Sequence, residues 1–271
     1  MPLGGAAVAT DPAQVARLWE ANAPAWTALS RAGGDIYRDH LNTPAFLRLL
    51  PPVAGLRGLD IGCGEATNTR AVAALGARLT ALDIAPSFLR AAAASEAADP
   101  RGIRFVQGSA LALPFPDASF DFATAFMCLM DVPRPEAALA EAARILRPGG
   151  FLQFSILHPC FAMPGRRVLR DTAGHAYAIE FRAAESPDGA IETWRFSGVA
   201  PELRDAHPPF QVPRFDRSLA WWINAIGATD LRLEAAEEPV ADPDTAARVP
   251  TVADTRIAPL FLILRARKPG P

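Results

Sequence analysis

The sequence predicts an α/β protein built on a doubly wound, mainly parallel sheet. Strand-like and helix-like runs alternate from residue 56 onward, and this alternation is typical of parallel βαβ units. Strand-like runs such as FDFATAF and FLQFSIL are almost wholly apolar, as expected for a sheet covered by helices on both faces. The first of these runs ends in a glycine-rich turn, GLDIGCGE at residues 58–65, before a helical pattern begins.

The alternating part of the chain gives six strands and four helices. Strands are predicted at 56–61, 78–83, 103–107, 120–126, 151–157 and 259–266, and helices at 65–76, 86–98, 134–147 and 217–226. Two further helices precede the sheet. One begins at Thr10-Asp11-Pro12 and ends at Gly33-Gly34, and the other begins at Thr43-Pro44 and ends at Pro51-Pro52.

Residues 158–215 interrupt this alternation and are predicted to form an inserted subdomain of a single domain spanning 1–271. A structureless loop of that length is rare inside a compact domain. Tyr177, Ile179 and Phe181 alternate with other residues, as do Trp194 and Phe196. Because residues 186–189 between them read Ser-Pro-Asp-Gly, a turn sequence, we predict a β-hairpin joining these two stretches.

The composition excludes several classes of protein. The 271 residues carry a formal net charge of −2, without the basic patch that nucleic-acid binding requires. The three cysteines are widely separated, and no clustered acidic pair has ligand spacing, so we predict neither a disulfide framework nor a metal site. No apolar run reaches about 18 residues, and the N-terminus lacks a signal-peptide pattern. We therefore expect a cytoplasmic protein without membrane contact.

The glycine turn predicts a ligand that contains a ribose and a positive charge. Gly62 and Gly64 allow close approach of the backbone to a ligand, and Asp83, about 20 residues on, can accept both ribose hydroxyls. A dinucleotide turn requires a third glycine where this chain has Thr67. Asp60 would repel a diphosphate and attract a cation. S-adenosylmethionine, with its sulfonium, ammonium and ribose, therefore fits better than a dinucleotide.

With these motifs, the sequence resembles a class I S-adenosylmethionine-dependent methyltransferase of the small-molecule branch, a family with a Rossmann-like sheet. The family's first motif, acidic-x-Gly-x-Gly-x-Gly, reads here Asp60-Ile-Gly-Cys-Gly-Glu-Ala66. The stretches at 107–126 and 141–156 and the final PLFLILRARKP also match in the correct order. The resemblance covers about residues 35–158 and 214–269.

The resemblance implies S-adenosylmethionine as cofactor and a set of cofactor-binding residues. They are Tyr37, Arg38, Asp60, Gly62, Cys63, Gly64, Asp83, Ile84, Ser109, Ala110, Leu111 and Phe126. Ser109 stands where the family usually has an adenine-binding aspartate. Residues 1–52 are expected to form a helical lid over the methionine end, with Arg38 pairing the carboxylate and Tyr37 bordering the methyl group.

Methyl transfer from a sulfonium is an in-line displacement, so the protein mainly supplies alignment and a dry site. His158, at the end of the fifth strand, is the candidate general base; alternatively, its imidazole only shapes the turn before Pro159. The aromatic residues of 158–215 suggest a cap over the acceptor, or else a homodimer surface. Candidate acceptor contacts are Trp26, Phe161, Tyr177, Arg217 and Trp222.

The sequence therefore predicts methylation of an oxygen or nitrogen atom on a small, aromatic or apolar metabolite of a biosynthetic, natural-product type. Methylation of carbon and binding of the cofactor without turnover are the alternatives. A nicotinamide-dependent oxidoreductase would need the third glycine and a proton-donating pair such as Tyr/Lys, which Lys268 near the C-terminus does not supply.

Overall fold

A seven-stranded sheet forms the centre of the computed structural model, which describes residues 8–162, 165–181 and 187–270. The strands are β1 Arg57–Ile61, β2 Arg78–Asp83, β3 Arg104–Gln107, β4 Phe120–Phe126, β5 Leu146–Leu157, β6 Arg167–Arg170, β7 Ala176–Glu180, β8 Ala190–Trp194, β9 Phe210–Arg214, β10 Arg232–Glu237 and β11 Phe261–Arg267. The α-helices are α1 Pro12–Arg31, α2 Thr43–Leu49, α3 Thr67–Ala73, α4 Pro86–Ala98, α5 Pro135–Ile145, α6 Pro201–Asp205, α7 Leu219–Gly227 and α8 Pro243–Arg248.

The strand order is β10-β11-β5-β4-β1-β2-β3. Neighbours from β5 to β3 pair in parallel, whereas β11 is antiparallel to both β5 and β10. This arrangement confirms the predicted doubly wound α/β sheet. The order reverses between β1 and β4, and ligands of open α/β sheets bind beyond the carboxyl ends of the strands at such a reversal.

Both faces of the sheet are buried, as the apolar strands predict. On one face, α5 and α7 supply a core that includes Leu139 and Trp222, and Trp222 lies 5.6 Å from the ring of Phe154 in β5. On the other, α2 and α3 contribute Phe46 and Val72 to a second core. The sequence missed β10 because its residues, RLEAAE, form a largely exposed edge strand rather than an apolar run.

The predicted hairpin between 177–181 and 194–196 is wrong in its pairing. β7 instead pairs with β6, and β8 pairs with β9. The β6–β7 turn is closed by Asp171, whose Oδ1 accepts hydrogen bonds from Ala173 N at 2.9 Å and His175 N at 2.8 Å. Alternation identifies a strand but not its partner, which explains the error. Ser186, the first residue of the predicted turn, lies outside the described residues.

The first helix, α1, joins the insertion to the sheet domain. Asn22 is buried and exchanges hydrogen bonds with the backbone of Gln211 in β9, at 2.9 and 3.0 Å. Trp26 packs against an aromatic group from the insertion, with ring centroids 5.4 Å from Trp194 and 4.8 Å from Phe210. Among the described residues, no helix is both long and apolar enough to cross a membrane.

Candidate active site

A cavity of about 180 Å³ lies beyond the carboxyl ends of β1, β2 and β4. It brings together residues that are far apart in the sequence, because parallel strands end at the same edge of the sheet. Predicted cofactor residues that line it are Arg38, Asp60, Gly62, Cys63, Gly64, Asp83, Ile84, Ser109, Ala110, Leu111 and Phe126. Eleven of the twelve predicted cofactor residues thus line one cavity.

The glycine turn has the backbone geometry that its residues suggest. Gly62 and Gly64 have φ values of 71° and 55°, in the left-handed region that glycine adopts without strain. The Gly62 N–H donates to Leu82 O at 2.8 Å, so the turn is fastened to the end of β2. A side chain at Gly62 would lie 2.7 Å from the Cβ of Cys128 and closer still to its sulfur. Gly62 is therefore required both for its φ and for space.

Two buried carboxylates face this cavity. Asp60 accepts hydrogen bonds from Thr69 Oγ1 at 2.5 Å and from Thr124 Oγ1 at 2.8 Å. Asp83 accepts from the N–H groups of Gly64 at 2.8 Å and Ala85 at 2.9 Å. Burial is the main cause that raises the pKa of each carboxyl to about 6, and the hydrogen bonds oppose it. A cationic ligand would restore their ionised forms.

Arg38 extends from the π-helical turn that follows α1 and is partly buried, with 12% of its side chain exposed. Its guanidinium donates to Ser30 Oγ at 2.5 Å and to Asp39 at 2.7 Å, and lies 3.7 Å from Glu65. The position of this guanidinium suits binding of the carboxylate at the methionine end of S-adenosylmethionine. Tyr37 departs from its prediction because it lies in a neighbouring cavity.

The adenine end of the cleft is less polar than the family pattern implies. Ser109 lines the cavity, but its Oγ accepts a hydrogen bond from Leu111 N at 3.2 Å and so stabilises its own loop. Phe126 also lines the cavity, with its ring 3.8 Å from that of Phe46. Ser109 therefore has a structural partner already, while Phe126 forms part of an apolar wall.

A second cavity, of about 770 Å³, adjoins the first. The two cavities share the lining residues Trp19, Trp26, Asp35, Arg38, Met127 and Asp131. Beyond this junction, the walls come from the insertion, including Trp194, Phe196 and Arg214, and from Trp222 of α7. A molecule in the second cavity could therefore reach a group held in the first.

Tyr37 lines this second cavity rather than the first. Its hydroxyl group donates a hydrogen bond to Thr251 O at 2.9 Å and lies 3.1 Å from Asp254 Oδ1. Burial and the neighbouring Asp254 carboxylate raise the pKa of Tyr37 far above its usual value. Tyr37 therefore links the N-terminal segment to the C-terminal part of the chain.

The structure contradicts the prediction of His158 as a general base. His158 is buried at the wall of the second cavity, but both ring nitrogens have partners. Nδ1 accepts a hydrogen bond from Cys160 N at 3.1 Å, so Nε2 carries the proton and donates to Glu238 Oε1 at 2.7 Å. Neither nitrogen is available to a substrate, and the alternative role in the turn before Pro159 is the one observed.

The other predicted acceptor contacts divide into two groups. Trp26 and Trp222 line the second cavity. Arg217 also lines it, but its guanidinium is engaged by both carboxylate oxygens of Asp188, at 2.6 and 3.0 Å. Phe161 packs against His158 outside both cavities, and Tyr177 is 63% exposed on the β6–β7 hairpin. The aromatic residues of the insertion therefore do not all face one site.

Sequence reasoning missed three residues at the junction and beside it: Met127, Asp131 and Arg214. Met127 has a φ of 48°, unusual for a residue with a side chain, and such strain concentrates at functional sites. Asp131 ends a short 3₁₀ turn after β4. Met127 and Asp131 could have been identified from the sequence, because they follow β4. Arg214 could not, because it reaches the junction only through the packing of β9. No metal-binding cluster of histidine, cysteine or acidic residues occurs in the part of the chain described.

Residues 59–154 match the model of a methyltransferase domain. A demethylmenaquinone methyltransferase of Renibacterium salmoninarum is 33% identical over 183 residues, which are 66% of this chain and 69% of that protein. One of Clavibacter sepedonicus is 40% identical over 112 residues, 41% of this chain and only 45% of that relative.

Among solved structures, an S-adenosylmethionine dependent methyltransferase from Mesorhizobium loti superposes with a TM-score of 0.64 at 26% identity. The superposition covers 83% of this chain and 96% of that one. The similarity therefore extends beyond the matched domain to most of the sheet and the elements around it.

Proposed function

Because the chain belongs to the family of S-adenosylmethionine-dependent methyltransferases, we propose that it transfers a methyl group to a small-molecule acceptor bound in the second cavity. The observation that carries this proposal is that the two cavities adjoin and share six lining residues. The cleft at the glycine turn has the charges of a cofactor site, and the aromatic cavity lies next to it.

S-adenosylmethionine is the cofactor of this family, and the residues of the first cavity fit it. In this proposal Asp83 accepts the ribose hydroxyls, Arg38 pairs with the carboxylate, and Asp60 adds negative charge behind the glycine turn; all three line this cavity. The bound cofactor supplies a methyl group that is already activated by a sulfonium. The chain's own contribution is to align the acceptor with that group and to exclude water.

The second cavity supports a small, aromatic or apolar acceptor. Indole and phenyl rings of Trp26, Trp194, Phe196 and Trp222 contribute to its walls, and such rings bind flat acceptors by stacking or edge contacts. The two relatives from Renibacterium and Clavibacter are named for demethylmenaquinone. We do not transfer that acceptor, because β8 and β9, which supply much of the cavity wall, lie outside the matched methyltransferase domain.

The N-terminal segment and residues 158–215 act in this proposal as a cover over the acceptor. Trp26 from α1 and Trp194 from β8 are in contact beside the cavity, so the two segments close it together. A cytoplasmic location is consistent with the free thiols of Cys63, Cys128 and Cys160.

The proposal is tested first by calorimetric titration with S-adenosylhomocysteine, with NADH as the competing class of ligand. Asp83→Asn keeps the side-chain shape but removes the charge that would accept the ribose hydroxyls. We expect it to weaken binding by about ten- to a hundredfold, because hydrogen bonds to charged groups contribute roughly 1.5–3 kcal/mol. The matched control is Asp117→Asn, at a residue that is 77% exposed, precedes β4 and lines neither cavity.

Wild-type protein and Asp117→Asn should bind S-adenosylhomocysteine alike, and none of the three should bind NADH. Circular dichroism melting of each variant separates loss of the site from loss of the fold. Absence of binding by the wild-type protein, or equal binding by Asp83→Asn, would overturn the cofactor assignment and the proposed activity with it.

A further inference from the structure

One carboxylate at the junction of the two cavities has no assigned role. Asp131 ends the 3₁₀ turn Leu129–Asp131, lines both cavities and is 8% exposed. Its backbone N–H donates to Cys128 O at 3.0 Å. No described residue donates a hydrogen bond to its side chain. The carboxylate is not among the fully enclosed polar atoms that lack a partner, so its oxygens keep some access to the cavities that Asp131 lines and are free to accept a hydrogen bond from a ligand.

Packing of the insertion fixes the position of this carboxylate. The Phe215 N–H donates to Met130 O at 3.3 Å, which ties the end of β9 to the 3₁₀ turn. On the other side of the turn, Met127 donates its N–H to Ser155 O at 3.0 Å. Asp131 is therefore held between β5 and β9 rather than on a free loop.

The charged groups around Asp131 leave it only partly compensated. Arg214 faces it and attracts its negative charge, but Arg214 is already bound to Asp216 at 2.6 Å and to both oxygens of Glu192 at 3.2 Å. Asp35 and Arg38 share the junction. Burial raises the pKa of Asp131 well above its usual range. The positive charge of Arg214 opposes this increase only in part, and the negative charges of Glu192 and Asp216 add to it.

The remaining arginines of the second cavity also have acidic partners. Arg38 pairs with Asp39, and Arg217 pairs with Asp188. Arg195 pairs with Asp205 at 2.9 Å. Among the described residues, each guanidinium that lines this cavity thus has an acidic partner, and Arg38 is also the one assigned to the cofactor's carboxylate in the proposed function. None of these guanidinium groups is left over for an acidic acceptor. The junction favours a neutral or cationic acceptor that carries a hydrogen-bond donor.

We propose that Asp131 accepts the proton that the acceptor's hydroxyl or amino group loses on methylation. This inference rests on the proposed function. A lone pair on the acceptor's oxygen or nitrogen forms the new bond to the methyl carbon, and the carbon–sulfur bond breaks with its electron pair on sulfur. The proton passes to a carboxylate oxygen of Asp131, and the neutral acid later releases it to solvent.

The environment of Asp131 suits this role. A proton acceptor works best when its pKa lies near the working pH, so the direction of the shift is favourable. Because the cofactor is cationic at sulfur, its arrival at the junction favours the ionised form of Asp131. Asp131 is therefore ionised, and able to accept a proton, when both the cofactor and the acceptor are bound. His158 cannot take this role, because both of its ring nitrogens are occupied.

The test measures S-adenosylhomocysteine formation from S-adenosylmethionine with a panel of phenols, catechols, anilines and alkylamines as probes. Wild-type protein is compared with Asp131→Asn, Asp131→Glu and the control Asp117→Asn. We expect Asp131→Asn to lower kcat by about a hundred- to ten-thousandfold, the usual contribution of a general base, with little change in KM. Its remaining activity should lack the acidic limb of the wild-type pH profile, and Asp131→Glu should restore part of both.

Binding of S-adenosylhomocysteine is measured in parallel by calorimetry, which separates this inference from the proposed function. If the wild-type protein does not bind it, the proposed function fails. If all variants bind it but Asp131→Asn keeps the wild-type kcat and pH profile, Asp131 is not the proton acceptor. Binding without turnover of any proton-bearing probe would equally overturn the inference. A change confined to KM or to melting temperature would show a structural role only.

Discussion

Replacing Gly62 by alanine tests the geometry of the glycine turn. Two separate costs arise at this position. The first is the left-handed backbone, with a φ of 71°, which costs a residue with a side chain roughly 1–2 kcal/mol. The second is steric, because the new Cβ would lie 2.7 Å from the Cβ of Cys128 and closer to its sulfur. Overpacking of this kind costs about 1–3 kcal/mol.

Gly64 provides the matched control two residues away. Its φ is 55°, but a Cβ built there meets no atom within 4 Å. Gly64→Ala should therefore show the backbone cost alone, about 1–2 kcal/mol. Gly62→Ala should destabilise the protein by about 1–3 kcal/mol more than Gly64→Ala does. Adding Cys128→Gly to Gly62→Ala should recover part of that difference, because it removes both atoms that the new methyl group meets.

Denaturant unfolding of the three variants and the wild-type protein gives these free energies. Calorimetric titration with S-adenosylhomocysteine then shows whether the turn still binds. Equal destabilisation by Gly62→Ala and Gly64→Ala would refute the steric argument, as would a double variant no more stable than Gly62→Ala. Either result would mean that Cys128 moves away freely and that the turn is less tightly packed than described.

Three further predictions concern the buried carboxyl groups and His158. Asp60 and Asp83 have pKa values raised to about 6, so protons compete with a cationic ligand below that pH. The affinity for S-adenosylmethionine, measured calorimetrically on either side of pH 6, should therefore fall as the pH is lowered. The decrease should reach up to about tenfold per pH unit for each carboxyl group. The stability of the ligand-free protein should depend on pH in the opposite direction, because carboxyl groups with raised pKa values bind more protons in the folded than in the unfolded state. The free energy of unfolding should therefore decrease as the pH rises from about 4 to 6. A free energy of unfolding that does not change over this range would contradict the raised pKa values. His158→Gln should lower the melting temperature, because the hydrogen bonds to Glu238 and Cys160 N are lost, while kcat stays within a few fold of the wild-type value. A loss of activity without a loss of stability would instead support His158 as the general base.

Most of the predicted cofactor residues line one cavity because their positions follow from local sequence. Gly62 and Gly64 follow β1 directly, and Asp83 ends β2, so the parallel pairing of the strands brings them together. The adenine loop at Ser109 follows β3 in the same way. Each of these positions is determined by which residue follows which strand, and that can be read from the sequence once the strands are recognised.

The acceptor side could not be read in this way. Tyr177 and Phe161 were predicted to face the acceptor because they are aromatic, but Tyr177 is exposed and Phe161 packs outside both cavities. His158 was chosen for its chemistry and its place at a strand end. Its hydrogen-bond partner Glu238 lies 80 residues away in sequence, and nothing local could show that both ring nitrogens would be occupied.

The sequence by itself determined the α/β sheet, the glycine turn and the charges of the cofactor cleft, because alternating apolar runs and short motifs act through local geometry. Only the tertiary structure decided the strand partners within the insertion, the junction of the two cavities and the place of Asp131 in it. Those features depend on β9 and α1 packing against residues more than 80 positions away, and side-chain pattern does not specify contacts at that separation.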